Sequence, residues 1–549
     1  MPDPQMHAAS AMPHPKDPVG KYEEVKHGEL MVSERPIKDN LRILAVSDSP
    51  WAPTGFGTNT KNVACILYDE GHLVGYGGCQ NPQHGRWGTP WPLDQKKDRA
   101  YFELLPIMYP GQEKWGEKSF PSWIGGFKPE LVLGHLDFQM FKHMTEHKKP
   151  TFMRLPLYGP DGNLLSETQR VDIVNKAFKD VGEGAPWKLA VVIPYDGEPS
   201  IKEWQDQVDV IDYGIAMSKY GQIGLKKDFG IDCTYIPHGV DTGLFKPIME
   251  PKYGGEPKPD AFIVGCVARN QHRKNIPRLI KGFAQFVKKN KLSSKEAKLI
   301  LHMDWKDFMG WNITEMTDHY GITEYLMKPL MGQLDAGEAI TEEDMAHMYN
   351  CMDVFVLPTG GEGFGIPTLE AMSCGVPICV TNYTTSYELI KCEDPENEDI
   401  PMYPVGGHHT DCMPNGRDHL IDEDICERGI LLPYKDMWWD VPKRAAPQRA
   451  ICSENAICEA LELYYKDPQK KLATGKAARK HAIKEYSWEV VGKRWRDLSK
   501  KITKEIRAEP KRKGNWLDIS VDVPADGKTD LEHKKDISKG KRMKRRTKK

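Results

Sequence analysis

The sequence predicts an α/β protein built from two Rossmann-like, doubly wound domains that face a central cleft. Three observations carry this expectation. A strand, glycine-rich turn, helix, strand unit runs from Leu41 to Gly77. The same grammar returns after a proline- and glycine-rich stretch at Pro247–Asp260. And 549 residues exceed what one hydrophobic core organises.

In the first unit, Leu41–Val46 (LRILAV) is a short apolar run suited to a buried parallel strand. The segment SDSPWAPTGFGTNT follows as a loop holding Gly55 and Gly57. A helix is expected from about Thr58 to Glu70, with Val63, Ile66 and Leu67 on one face and Gly71 as its stop. Leu73–Gly77 is the next strand. Beyond the linker, Ala261–Ala268 reads as a strand, and Ile276, Leu279, Ile280, Phe283, Phe286 and Val287 recur at helical spacing. Lys298–Met303, Asp353–Leu357 and Gly375–Val380 read as further strands, residues 394–428 as a polar insertion, and 454–506 as helices. The expected organisation is a flexible leader (1–39), a first domain (40–247), a linker (248–260), a second domain (261–485), a closing helix (486–510) and a basic, disordered tail (511–549).

Composition removes several classes. With 39% hydrophobic and 28% charged residues the chain fits a globular protein rather than wholesale disorder. No run approaches the roughly 18 apolar residues of a membrane span. Met1–Asp39 is polar and proline-rich, unlike a signal peptide. The 12 cysteines are scattered without a CxxC pair, which argues against a zinc ribbon or disulfide framework and for a reducing cytoplasm. The net charge of −2 hides an asymmetry: Lys534–Lys549 carries ten basic residues against Asp536 alone. An acidic body thus ends in a cationic arm, the kind of block that binds nucleic acid or another acidic surface.

The segment Pro358–Val380 carries the most chemistry. Glu362 sits in a glycine-rich loop directly after a buried strand, and Pro367 suits the first turn of a helix that then carries Glu370. Loop amides and the helix start favour anionic or hydroxyl-rich ligands, and both carboxylates offer acceptors to sugar and ribose hydroxyls. Taken alone, two carboxylates also describe a glycosidase, whose pair lies about 5–9.5 Å apart, but a hydrolase has no need of a nucleotide-binding α/β domain. TGFGTNT does not supply GxGxxG, which disfavours an NAD enzyme.

EGFGIPTLE resembles the E-x7-E signature of retaining glycosyltransferases of glycosyltransferase family 4, with Glu362 and Glu370 eight positions apart. The resemblance runs from about Leu41 to Ile502. Pro237–Pro247 looks like the family's interdomain signature and Ser487–Trp495 like its closing helix. It implies a GT-B fold, a nucleotide-sugar donor (a UDP-sugar first) and no required cofactor or metal. In ARNQHRKNIPRL (Ala268–Leu279) it assigns Arg269 and Lys274 to the departing diphosphate, with Arg273 an ambiguous neighbour. Glu362, with the amides of Phe364 and Gly365, would hold the sugar, Glu370 the ribose, and His135 would touch the transferred sugar. Gly55, Phe56 and Gly57 would reach donor phosphates or acceptor, with Asp48 and Thr54 at the mouth. Asp137, Asp196 and Glu198 are acceptor-side candidates. The D-x-D at Asp422–Asp424 reads as a solvated loop rather than a metal site, and the spacing of Cys392, His408, His409, Cys412 and Cys426 is irregular for zinc.

SDSPWAPTGFGTNT, RNQHRKN and LILHMDWKDFMGWN also resemble glycosyltransferases of phages and viral metagenomes, some of them associated with modified DNA bases. That resemblance implies 5-hydroxymethylcytosine in DNA as acceptor, within a host cytoplasm. The tail would contact phosphates, and Trp87–Trp91 would stack on a flipped base. Glycan, lipid or protein acceptors, and a non-catalytic binding module, remain the alternatives.

Overall fold

The computed structural model describes residues 40–79, 89–91, 102–105, 113–148, 185–330, 340–394, 416–440 and 447–509, a few isolated positions excepted. The leader, the tail, Trp87, His408, His409, Cys412 and Cys392 lie outside the described residues.

The expected two-domain α/β architecture is present. The first sheet has eight strands in the order β3-β4-β2-β1-β5-β6-β7-β8. These are β1 (Arg42–Asp48), β2 (Leu73–Cys79), β3 (Thr89–Trp91), β4 (Phe102–Leu105), β5 (Leu131–His135), β6 (Lys188–Ile193), β7 (Tyr213–Ala216) and β8 (Cys233–Tyr235). All pair in parallel except β3, which runs antiparallel to β4. Helices α1 (Gly55–Asp69), α2 (Phe120–Phe127), α3 (Phe138–Lys148), α4 (Gln205–Val208) and α5 (Lys219–Phe229) cover it. The apolar run at β1 is buried along nearly its whole length, as a central parallel strand must be. Glycines in β2 leave room for the aromatic face of α2: a Cβ on Gly77 would stand 2.6 Å from Trp123.

Helix α1 begins at Gly55, three residues before the expected Thr58. Thr54 caps it by accepting from the Gly57 amide at 3.1 Å and donates its hydroxyl to Asp48 at 2.7 Å. The Gly55–Gly57 stretch is therefore the first helical turn, not a loop.

The linker stretch holds a two-stranded hairpin, β9 (Lys252–Tyr253) with β10 (Glu256–Pro257). The second sheet follows in the order β12-β11-β13-β14-β16-β15. Its strands are β11 (Phe262–Val267), β12 (Ala297–His302), β13 (Val354–Leu357), β14 (Ile378–Thr381), β15 (Ile425–Cys426) and β16 (Gly429–Leu432). The helices α6 (Ile276–Lys289), α7 (Ile313–His319), α8 (Glu342–Cys351), α9 (Ile366–Ser373) and α10 (Ser386–Ile390) accompany it. The apolar positions expected on one face of α6 are all buried. Two departures follow from pairing that local pattern does not reveal. The end of the polar insertion supplies an antiparallel edge strand, with Asp424 buried against Arg417 at 2.8 Å instead of solvated. And Tyr434–Trp439 (β17) pairs with Gln448–Cys452 (β18) as a hairpin.

Three helices close the described chain: α11 (Glu454–Lys466), α12 (Pro468–Tyr486) and α13 (Trp488–Ala508). The last crosses back onto the first domain, where Arg496 and Lys500 pair with Glu70 at 3.4 and 3.3 Å and Arg507 pairs with Glu130. In both sheets the strand order reverses at one place, between β1 and β5 and between β11 and β13. Such switch points are where open α/β sheets bind ligands.

Gly475 on α12 packs so closely on Gly375 that an added Cβ would overlap the Gly375 carbonyl oxygen. At an open helix position Gly→Ala stabilises by about 1 kcal/mol. Gly475→Ala should invert that sign, and a lowered calorimetric Tm checks it.

Candidate active site

Two loops of the second domain meet at its switch point. After β11 the chain passes Ala268–Gln271 into a 3-10 turn, His272–Lys274, and Asn275 adopts a left-handed φ of 52° to start α6. The Asn275 side chain donates from Nδ2 to Ala450 O at 2.7 Å. After β13 comes the glycine-rich loop, ending at Gly365 (φ 100°), which precedes α9. The loops are pinned together where the Gly360 amide donates to Arg273 O at 2.6 Å.

Glu362 lies buried at their junction. Its carboxylate forms an ion pair with Lys274, itself buried, and lies 3.6 Å from Arg273. Burial alone would push the Glu362 carboxyl up, but Lys274 and Arg273 outweigh it and hold it below the usual range. Burial, with Arg273 beside it, draws the Lys274 ammonium down from its ordinary value. Arg273 also donates to Gly361 O at 2.6 Å.

The first domain presents carboxylates to these cations. Asp196, after β6, sits 3.1 Å from Arg449 and 3.8 Å from Arg273, and its carbonyl accepts from Arg449 at 2.5 Å. Burial raises Asp196, but the two guanidiniums bring it below the usual range. Asp137, after β5, is pushed up to about 6 by burial and by the charge of Asp196. Gly361, at φ 152°, faces Asp196 so closely that a Cβ would overlap its carbonyl. Glycine alone permits this approach of the domains.

His135 ends β5. Its Nδ1 lies 2.9 Å from Thr60 Oγ1, while Nε2 is buried without a hydrogen-bond partner among the described residues. Burial and then His238 lower it well below 6.5, so the ring is neutral near pH 7. Rings continue across the domain boundary: Phe56 edges onto His135 at 4.9 Å, His135 onto His238 at 5.2 Å, and His238 stacks on Phe364 at 5.1 Å. The starts of α1 and α9 also face each other, since a Cβ on Gly55 would stand 3.0 Å from Ile366. Two helix N-termini with positive dipole ends thus flank the same cleft.

Three predicted residues stand apart from this cluster. The Arg269 side chain is 63% exposed and pairs with Asp307 at 3.2 Å. Arg273, the ambiguous neighbour, is the guanidinium that meets Glu362. Glu198 turns into its own domain, toward Lys227 at 2.8 Å, and burial raises its carboxyl. Glu370 accepts from the Tyr349 hydroxyl at 2.7 Å, and burial pushes it up to about 7. Sequence reasoning missed Arg449 and His238. Arg449 stands on β18, where nothing local announces a partner in another domain. His238, by contrast, lies inside the interdomain segment and was visible there. Among the described residues no group of three or more His, Cys, Asp or Glu is placed to hold a metal. Of the stacking residues proposed at Trp87–Trp91, only the backbone of β3 is described.

Comparison with known proteins adds the following. Residues 261–398 match the family described as glycosyl transferases group 1. An O-antigen chain mannosyltransferase B of Escherichia coli is 32% identical over 158 residues, 28% of this chain and 36% of that enzyme. The chain thus spans about a third of the length of that relative. Among solved structures, sucrose-phosphate synthase from Thermosynechococcus elongatus superposes with a TM-score of 0.55 at 14% identity, covering 84% of this chain and 99% of that one. The Anabaena HepE protein in complex with UDP-glucose gives 0.51 at 13% identity, covering 84% and 99%. These likenesses establish the GT-B fold.

Glu362 is buried with its counter-ion, so removing one partner strands the other. Lys274→Met should lower stability by roughly 3 kcal/mol, and the double variant with Glu362→Gln should regain much of it. Denaturant titration of the two variants checks this.

Proposed function

We propose that the protein is a retaining, metal-independent glycosyltransferase that moves a hexosyl group from a nucleotide-sugar to a hydroxyl acceptor. The observation that carries this reading is the buried Lys274–Glu362 pair with Arg273, set at the switch point of one sheet and facing His135 and Asp137 at that of the other and Asp196 after the neighbouring strand β6. The family match over 261–398, the mannosyltransferase relative and the likeness to a UDP-glucose complex support it.

In this reading Lys274 and Arg273 stabilise the diphosphate as the glycosidic bond breaks and its electron pair moves to the phosphate oxygen. Glu362, with the loop amides, holds the sugar, and Glu370 accepts from the ribose. Arg269 reaches the diphosphate only on leaving Asp307. The acceptor oxygen bonds to the anomeric carbon on the face the diphosphate vacates, and its proton passes to the departing phosphate oxygen. No dedicated protein base is then required. Neutral His135 offers its buried Nε2 to a sugar hydroxyl. Closure of the domains excludes water and so limits hydrolysis.

The acceptor side favours an uncharged hydroxyl compound, a glycan or glycolipid. Asp48, Asp137 and Asp196 gather there, and carboxylates accept from hydroxyls but repel phosphates. A second reading, 5-hydroxymethylcytosine in DNA, rests on the cationic segment Lys534–Lys549. A transfer assay decides. The full chain is given UDP-glucose or GDP-mannose with mannose-terminated glycans, lipid-linked sugars, or DNA containing 5-hydroxymethylcytosine, and products are weighed by mass spectrometry. A hexose gain on glycans or lipids supports the first reading and a gain on the base the second. With no transfer and no donor turnover the transferase reading falls.

Two further outcomes are expected. Glu362→Ala or Lys274→Ala should cut kcat by about 10²–10³-fold with the fold intact by circular dichroism. Glu370 binds ribose hydroxyls as a carboxylate, so donor kcat/KM should rise as pH passes upward through about 7 and flatten in Glu370→Gln.

A further inference from the structure

The backbone of Glu362 is held by two successive residues of another loop. Its amide donates to Thr384 Oγ1 at 3.0 Å, and its carbonyl accepts from Thr385 Oγ1 at 3.0 Å. Thr384 adopts φ 55°, a left-handed conformation that a β-branched residue enters only when its surroundings enforce it. Its hydroxyl also donates to Tyr383 O at 2.8 Å, which fixes the hydroxyl for the Glu362 amide.

The same turn leads into α10, which carries the fully buried Glu388 into the first domain. There Glu388 Oε2 accepts from the amides of Lys219 and Tyr220 at 2.9 and 3.2 Å. These are first-turn amides of α5, which have no partner within their own helix. The N-cap Ser218 serves only Gly221, at 2.9 Å. Among the described residues no side chain of the first domain accepts from these two amides, and the second domain supplies the acceptor. A continuous path of hydrogen bonds and one short helix runs from α5 through Glu388 and the two threonines to Glu362, and from there to Lys274.

We infer that Glu388 is a positioning residue: by capping α5 of the opposite domain it makes domain docking the condition under which Thr384 and Thr385 hold the Glu362 loop in its working geometry. When the domains part, Glu388 loses both amides, the turn loses its anchor, and the strained Thr384 conformation is free to relax. A loop braced only in the docked state keeps the site incomplete while it is open to water. The activity side of this inference rests on the transferase reading, whereas the bracing itself does not.

The experiment compares the full-length protein with its Glu388→Ala, Glu388→Gln and Thr385→Val variants. Hydrogen-exchange mass spectrometry follows the segments 217–222 and 358–366, and turnover is measured with UDP-glucose and with GDP-mannose. Glu388→Ala should speed exchange in both segments and lower kcat about tenfold or more, with donor KM changed less than about twofold. Glu388→Gln keeps an acceptor oxygen and should restore both readouts. Thr385→Val should speed exchange in 358–366 alone and lower kcat without disturbing α5. The inference is overturned if Glu388→Ala changes exchange only in 217–222 while kcat stays within about twofold of wild type. It is equally overturned if Glu388→Gln fails to rescue and both variants lose kcat only in step with Tm. If exchange responds as expected but the wild type turns over neither donor, the bracing stands and the transferase reading alone falls.

Discussion

The buried ion pair between Lys274 and Glu362 is the constraint on which the cleft depends. Each charge would cost several kcal/mol to bury alone, so neither residue can occupy its place without the other. Since Lys274 comes after β11 and Glu362 after β13, the pair fixes the relative position of two loops separated by 88 residues. Everything near it serves that registration. The Gly360 amide meets Arg273 O, Arg273 reaches the Gly361 carbonyl, and Asn275 ties the turn to β18. Hydrogen bonds to backbone carbonyls matter here because they orient the charged heads without adding charge.

From this centre the charges alternate outward. Arg273 lies between Glu362 and Asp196, and Asp196 between Arg273 and Arg449, whose Nε in turn meets Asp440 at 3.0 Å. The alternation crosses the domain boundary at Asp196. In a low-dielectric cleft such a row satisfies every buried charge, while a row of like sign would not hold together. It also explains opposite shifts of two neighbouring carboxyls. Asp196 is lowered because guanidiniums face it, and Asp137 is raised because it is buried next to Asp196 without a guanidinium as close.

Much of this was readable from residues alone, for identifiable reasons. Buried parallel strands write themselves as short apolar runs, so β1, β11, β13 and β14 stood out, displaced by only a few residues. The Glu362 loop was visible because glycines and a proline punctuate it. What escaped notice depends on distant pairing. The hairpin of β17 and β18 mixes exposed and buried positions, with one register shift between Tyr434 and Asp436, so its alternation is broken. Arg449 gains its meaning only from Asp196, 253 residues earlier. The resemblance assigned Arg269 and left Arg273 ambiguous, and the contact of Arg273 with Glu362 comes from a 3-10 segment at His272–Lys274 that spacing does not record. The start of α1 was misplaced because the cap rests on Thr54 with Asp48, a side-chain contact that no periodicity records.

The cleft is assembled from charge on one side and from uncharged rings on the other, and the two halves need opposite treatment by water. Phe56, His135, His238 and Phe364 form a column of rings through the boundary, and both histidines are driven neutral by burial, His238 to about 3. A protonated ring in that column would be an uncompensated buried cation, whereas a neutral one packs as an apolar body with a polar edge. Each of the cations Lys274, Arg273 and Arg449 has a carboxylate of this chain beside it. An incoming diphosphate would meet cations whose positions are already fixed, so little reorganisation would be needed as charge develops. The carboxylates that hold those cations in place are also the groups an anion would displace. Glu362 is anchored through its backbone by two threonines, while Asp196 belongs to the other domain. Of the two counter-ions, Asp196 is therefore the one that domain motion withdraws outright, whereas Glu362 stays on its own domain beside Lys274 and loses only the brace that Glu388 transmits through the two threonines.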